Sequence, residues 1–559
     1  MHRAGELLST LRRRLAPAFD ARRLLVVLPL LPLVFLLPWL TRELNVELSA
    51  PLFRDAAMMQ YTGWCIRHGM RLYEDAATPD GPFIHFFHAL LQVFWGISDE
   101  GARRGDLLVQ LVGAMLFGAA IAPRPTDTRS RAAIVTVWAL LGAFAWLSWY
   151  LTGGWEHTVQ RDPYYALFGY LGMALLYTSS RFGQRMALTL AFVGGALATS
   201  QLFGRQSGII YPAMALLGLL AEGSKSPLWK QRLVAGFTGA GVAIAGMLVA
   251  VVTYGSWQGF LFWYFRVPLD IYRFIGSQPF SYLYTHVYLR QLIISVGIAA
   301  GVIIAIGRRL LPVQAVGFAL APFLFLMAAC FAGKGWINHV QQTVAAENLV
   351  ILLALSAAWE RGLEREAWSG RQAALGMILL GALFARVVTD LRTSSFNAPP
   401  LYTATHLGAE RLAEDLARST APDDRVFYYA HELHGLLFAE RKTALPEISD
   451  QVLNFDAWLF HAPPWEPPSD AEMATFERTQ ALISRDACGR LLNDPPAAVV
   501  SAPNDLHTFS VMSFEIDLQT ICPAFVPLLT SQYRMHKVAG YQVFLRRDHA
   551  SPVETPPGR

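Results

Sequence analysis

The sequence predicts a polytopic α-helical membrane protein of about eleven spans, with a small α/β domain outside the membrane at its C-terminal end. Three observations predict it. Only 16% of the residues are charged and 53% are hydrophobic, whereas soluble domains carry about a quarter charged residues. Apolar runs recur at the ~20-residue length that crosses a bilayer core. After Asp390 prolines, acids and polar residues appear, and no further run of that length can be drawn.

Candidate spans begin at Leu24, Asp106, Ala132, Pro163, Met186, Ser207, Leu233, Leu289, Leu311, Val344 and Gln372. The run Leu24 to Leu40 follows several arginines and precedes no small-residue cleavage site, so it reads as a retained helix, not a signal peptide. Pro82 to Ile97 is apolar but short, and it holds His85, His88 and Gln92. It reads as an interfacial helix lying on the membrane. Arginine placement supports that choice. If this stretch does not cross, Arg12 to Arg14, Arg22, Arg23, Arg124, Arg129, Arg131, Arg181, Arg185, Arg232, Arg308, Arg309, Arg361 and Arg365 share one side. By the positive-inside rule that side is cytoplasmic. Residues 1–23 are then a cytoplasmic basic segment. Residues 24–390 form the membrane domain, with 41–105 as its first outer loop, and 391–559 form an extracytoplasmic α/β domain.

In that last domain Ala409 to Ser419 reads as an amphipathic helix. Arg425 to Ala430, Ala497 to Ser501 and Tyr541 to Arg546 read as strands, and the Pro-rich His461 to Pro468 as a loop. Cys488 and Cys522 both fall here; a disulfide and a pair of buried free thiols fit equally. The four cysteines show no CxxC spacing, which argues against a thiolate metal site. His431-Glu432-Leu433-His434 has the wrong spacing for a zinc helix and is assigned to a loop. There is no Walker loop, GxSxG elbow or HExxH. A net charge of +4, without a basic run interleaved with aromatics, gives no nucleic-acid partner.

Ionisable residues at membrane depth are costly, so each is a functional candidate. The first outer loop holds Asp55 at a helix start, then Tyr73, Glu74 and Asp75 in a turn, then Gly81-Pro82. Asp55 suits a general base beside the bilayer, and on residue type alone an N-cap fits it better. Arg161 and Asp162 sit at the end of a later span, as a phosphate contact with a second carboxylate or as a local ion pair and cap. Arg205, between two spans, suits a phosphate ligand or a snorkelling cation. Tyr254 to Tyr288 is dense in aromatics, with Arg266, Arg273 and His286 among them. It fits an interfacial belt or a groove for a lipid phosphate. Lys334 and His339 lie in the tight loop GKGWINHVQQ.

The order of these features resembles the GT-C superfamily of membrane glycosyltransferases, in the bacterial branch related to protein mannosyltransferases and lipid A aminoarabinose transferases. Asp55, Gly69, Tyr73, Asp75 and Gly81-Pro82 stand where members carry an acid, a G-x-x-x-Y-x-D turn and a proline-led juxtamembrane helix. Gln160-Arg161-Asp162 matches a later outer-loop motif, and Gly335 with His339 a late one. The resemblance implies a polyprenyl-phosphate-linked sugar donor, a glycolipid, polysaccharide or protein acceptor, and a multi-pass bacterial inner-membrane protein with its site facing the periplasm. It implies Asp55 as general base and Asp162 on the acceptor side. Arg161, Arg205, Arg266, Lys334 and His339 would meet the donor phosphate, with Tyr73, Asp75 and Arg273 as further substrate contacts. Where members have an acidic pair, this chain has Asp55-Ala56-Ala57, a single carboxylate, so a divalent cation is left open as a cofactor. A flippase of lipid-linked saccharides is the competing class. It calls for charges buried within the spans, which here look nearly free of acids apart from Glu347. A polysaccharide ligase or polymerase sits between the two.

Overall fold

The computed structural model describes residues 31–124, 128–154, 157–223, 227–274, 278–333, 340–364, 370–393, 400–430, 433–447, 469–502 and 514–548. A helix stands at every expected span. They are α1 (Leu31–Ser49), α4 (Asp99–Ile121), α5 (Thr128–Thr152), α6 (Arg161–Ser179), α7 (Gln184–Ser200), α8 (Ile210–Glu222), α9 (Trp229–Tyr254), α10 (Leu289–Gly307), α11 (Val316–Phe331), α12 (Gln341–Glu364) and α13 (Gly370–Thr393). The expected start of the first, at Leu24, lies outside the described residues. Among the described residues, seven stretches are helical, long and apolar enough to cross a membrane. Helices α1, α6, α8 and α13 are not among them. Between α1 and α4 lie α2 (Arg54–Arg67) and α3 (Pro82–Trp95). With 14 residues, α3 extends about 21 Å, short of a ~30 Å hydrocarbon core.

Helix α6 is the centre of the bundle, with all but a few of its side chains buried. Around it Trp138, Trp146, Tyr170, Tyr211, Phe318 and Trp359 fill the core, with Tyr170 and Tyr211 edge to face at 5.1 Å between centroids. Small residues let neighbouring helices approach closely where lipid supplies no hydrophobic drive. A Cβ on Gly239 of α9 would collide with the Phe192 carbonyl of α7.

The expectation of nearly acid-free spans is corrected. Glu47, Asp106, Glu222, Glu347 and Asp390 are all buried. Each has a partner: Tyr150 joins Glu47 and Asp106, Arg232 holds Glu222 at 2.7 Å, and Arg386 holds Glu347 and Asp390 at 3.1 Å each. Composition could not show this, because the partners of Glu47, Glu222 and Glu347 come from other helices and meet them only after packing.

The C-terminal domain contains α14 (Pro400–Ser419), β1 (Arg425–Tyr429), α15 (His434–Ala439), β2 (Lys442–Thr443), α16 (Asp470–Asn493), β3 (Ala498–Ser501), α17 (Phe514–Ile521), α18 (Phe525–Gln532), β4 (Tyr533–Val538) and β5 (Tyr541–Arg546). The sheet runs β2-β1-β3-β5-β4. Strand β1 is parallel to β2 and β3, and β5 is antiparallel to β3 and β4. Two strands escaped the sequence reading. Strand β2 has only two residues, and the edge strand β4 carries mostly exposed polar positions. Cys488 and Cys522 are joined in a disulfide with Cα atoms 4.9 Å apart, which settles the alternative left open above. His461 to Pro468 lies outside the described residues.

Helix α2 and the turn that follows it are built into this domain. Tyr61, Trp64 and Cys65 of α2 share a core with Leu412, Leu416, Tyr428 and Leu436. The Tyr61 hydroxyl donates to the Arg441 carbonyl at 2.9 Å, and the Ala77 amide to the Pro446 carbonyl at 2.6 Å.

Candidate functional site

A cluster of carboxylates and guanidiniums forms where the first turn of α6 meets the turn before α8 and the turn before α3. Asp162, in that first turn, is fully buried. Its Oδ1 accepts from Arg205 Nη1 at 2.9 Å and from Gln342 Nε2 at 2.8 Å. Its Oδ2 faces Arg161 Nε at 3.4 Å. Arg161 also pairs with Asp80, and Tyr272 bonds to its side chain. Asp55, half-buried in the first turn of α2, lies close enough for its charge to act on both Arg161 and Tyr272. The two guanidinium side chains keep 15% and 17% of their surface exposed. They are held in place yet still reach solvent.

Backbone contacts fix the loops that carry these groups. The Gly81 amide donates to the Gly204 carbonyl at 3.2 Å. A Cβ on Gly81 would collide with the Phe203 carbonyl, so only glycine lets the Asp80 turn lie against the Arg205 turn. The hydroxyls of Tyr165 and Tyr264 donate to the Gly204 and Leu202 carbonyls. Beneath the Asp80 turn, Thr78 Oγ1 is 2.9 Å from His85 Nε2. Burial, reinforced for His85 by His88, pushes both imidazoles down to about 3, so they are neutral.

The structure brings Asp55, Arg161, Asp162 and Arg205 together. The capping alternative for Asp55 is corrected: Phe53 is the N-cap of α2 and makes no side-chain cap bond. Other candidates are placed differently. Tyr73 is buried, with φ +65°, and donates to the Asp80 carbonyl at 2.7 Å, so it holds the loop. Asp75 accepts from the Arg71 amide at 2.9 Å and faces Arg425 of β1 at 3.8 Å. Arg266 pairs with Asp270 at 3.1 Å, and Arg273 with Glu472 of α16 at 3.3 Å. Lys334 and His339 lie outside the described residues. The sequence reading missed Asp80, Gln342 and Tyr272 as site residues; the Asp80-Gly81-Pro82 turn was the one available signal for the first.

A divalent cation does not fit this cluster. Asp80 and Asp162 already face guanidiniums, so of the cluster's three carboxylates only Asp55 is left to meet an ion. A cavity of about 870 Å³, lined by Arg181, Glu222, Arg309, Glu360 and Arg361 among others, opens near the other end of α6 and lies apart from the cluster.

Comparison with solved structures finds this fold in ArnT from Cupriavidus metallidurans. The apo protein is 11% identical, with a TM-score of 0.50 over 93% of this chain and 99% of that one. The form bound to undecaprenyl phosphate is 12% identical, with a TM-score of 0.51 over the same shares. The archaeal oligosaccharyltransferase AglB from Archaeoglobus fulgidus, in complex with an inhibitory peptide and a dolichol-phosphate, is 12% identical over 93% of this chain and 75% of that one, at a TM-score of 0.43. No protein-family model and no curated protein matches the sequence. The fold is thus the one seen in ArnT, a helical bundle with a small C-terminal sheet domain.

Proposed function

We propose that the chain is a GT-C-type membrane glycosyltransferase, moving a sugar from a polyprenyl-phosphate carrier to an acceptor hydroxyl at the periplasmic face of a bacterial inner membrane. The observation that carries this reading is the Arg161–Asp162–Arg205 cluster, with Asp55 beside it. It sits in a fold shared with ArnT, a protein solved with undecaprenyl phosphate bound.

The chemistry follows from charge. Asp55 takes the acceptor proton, and the acceptor oxygen forms its bond to the anomeric carbon. The bond from that carbon to the phosphate oxygen breaks, and its electron pair leaves with the polyprenyl phosphate. Negative charge grows on that oxygen, and preorganised cations stabilise it most in a site that excludes water. Arg205 and Arg161 supply them. Asp162 is a positioning residue in this scheme: it orients both guanidiniums and holds no acceptor. Lys334 and His339, in the segment that precedes Gln342 in the sequence, are proposed as further phosphate contacts. Arg266 and Arg273, both over 40% exposed, are proposed to meet acceptor or headgroups at the rim.

The test is transfer in vesicles from a panel of polyprenyl-phosphate sugars, comparing the parent with Asp55→Asn. Release of polyprenyl phosphate by the parent, cut on the order of 10²–10⁴-fold in a folded variant, is expected. Undiminished release by the variant moves the base elsewhere. Movement of the intact carrier across the bilayer, without release, replaces the transferase by a flippase.

A further inference from the structure

We propose that Asp99, His406 and His434 form a binding site for a divalent transition metal such as Zn²⁺, fastening the C-terminal domain to the start of α4. The site is separate from the cluster above and does not depend on the function proposed for it. Three elements supply one ligand each: Asp99 is the first residue of α4, His406 lies on α14 and His434 opens α15. One ligand atom from each lies within 4.8 Å of the others. His406 Nε2 is 3.2 Å from Asp99 Oδ2, and His434 Nε2 is 3.6 Å from Asp99 Oδ1. The two imidazoles approach different oxygens of one carboxylate, at separations close to the ~3.3–3.6 Å between neighbouring ligand atoms of a four-coordinate Zn²⁺ with bonds of ~2.0–2.2 Å. Both separations are longer than a charge-assisted hydrogen bond of about 2.7–2.9 Å.

The surroundings suit a structural metal. The three side chains are 15%, 11% and 0% exposed, so a carboxylate and two imidazoles have been taken from water together. That is costly unless they are paired or bind a metal. Two imidazoles and one carboxylate make a donor set suited to Zn²⁺ and its first-row neighbours. The Leu52 amide donates to Asp99 Oδ2 at 3.1 Å, an outer contact that orients the ligand. Glu410, one turn beyond His406 on the same helix face, is 3.6 Å from His406 Nε2 and 49% exposed. It or water completes the tetrahedron. Arg103, the nearest cation on α4, directs its guanidinium to Ala50, Pro51 and Thr158. A bound ion would tie α14 and α15 to α4 and, through Leu52, to the segment that leads into α2 and Asp55.

The test uses the full chain in nanodiscs, purified on a tag without histidines. After equilibration with micromolar Zn²⁺ and dialysis, metal analysis is expected to find about one Zn²⁺ per chain, and Co²⁺ loading to give tetrahedral visible bands. His406→Gln, at the more exposed imidazole of the two, is expected to stay folded by size-exclusion and to lose both signals. A chelator should lower the Tm of the parent and leave that of His406→Gln unmoved. No stoichiometric Zn²⁺ in the parent, or the same stoichiometry in His406→Gln and Asp99→Asn, would overturn the site and leave an ordinary buried ion pair.

Discussion

At Asp162 two guanidiniums and one amide converge on a single buried carboxylate. Removing it takes the carboxylate from Arg205 and leaves Arg161 with Asp80 alone, so Asp162→Ala is expected to lower stability by about 3 kcal/mol, read as a fall in Tm in detergent. Arg205→Lys keeps the charge but loses the planar fork. It should leave Tm nearly unchanged and cut transfer at least ~10-fold; unchanged transfer would remove Arg205 from the phosphate. The residue scale was also the least legible in the sequence. Arg161, Asp162 and Arg205 stood out as charges at the ends of apolar runs. Asp80 did not, because an Asp before Gly-Pro looks like any turn. His434 was set aside for its local spacing, and its neighbours Asp99 and His406 are brought to it only by tertiary packing. No window along the chain holds all three.

Among the elements, the apolar runs gave away the bundle, because a bilayer demands one long helix per crossing. Buried acids stayed hidden for the opposite reason: their partners come from other helices or from farther along their own. The interfacial helix α3 carries a pH signature. Its neutral His85 and His88 have folded values near 3, below the unfolded value of about 6.5. The unfolded chain therefore binds more protons between those values. The stabilisation by these two histidines is full above about pH 6.5 and falls away as pH drops towards 3. His85→Gln should flatten the fall of Tm between pH 7 and 5; an unchanged slope would show that His85 does not contribute. In the turn before α3, Gly81→Ala must push the Asp80 and Arg205 loops apart. Misplacement by about 1 Å can cost on the order of 10²-fold in rate, so transfer should fall while the bulk Tm hardly changes. In the C-terminal domain the disulfide closes a span of 34 residues. Replacing Cys488 and Cys522 with Ser is expected to remove about 2–4 kcal/mol, seen as faster proteolysis in that domain.

For the whole molecule, the bundle and the sheet domain are not simply tethered. Helix α2 carries Asp55 in its first turn and buries Tyr61, Trp64 and Cys65 in the core of the C-terminal domain. The domain thus holds the helix that presents the proposed base. The buried acids Glu222, Glu347 and Asp390 give no support to the flippase, since each meets an arginine in a structural ion pair. The central claim is that the Arg161–Asp162–Arg205 cluster receives a lipid phosphate. Native mass spectrometry of the full chain, titrated with a polyprenyl phosphate, tests it most directly. The account predicts saturable binding by the parent, weakened at least ~10-fold in Arg205→Ala and unchanged in Arg309→Ala at the other end of the bundle. Equal binding by the parent and Arg205→Ala, or loss only in Arg309→Ala, would contradict it.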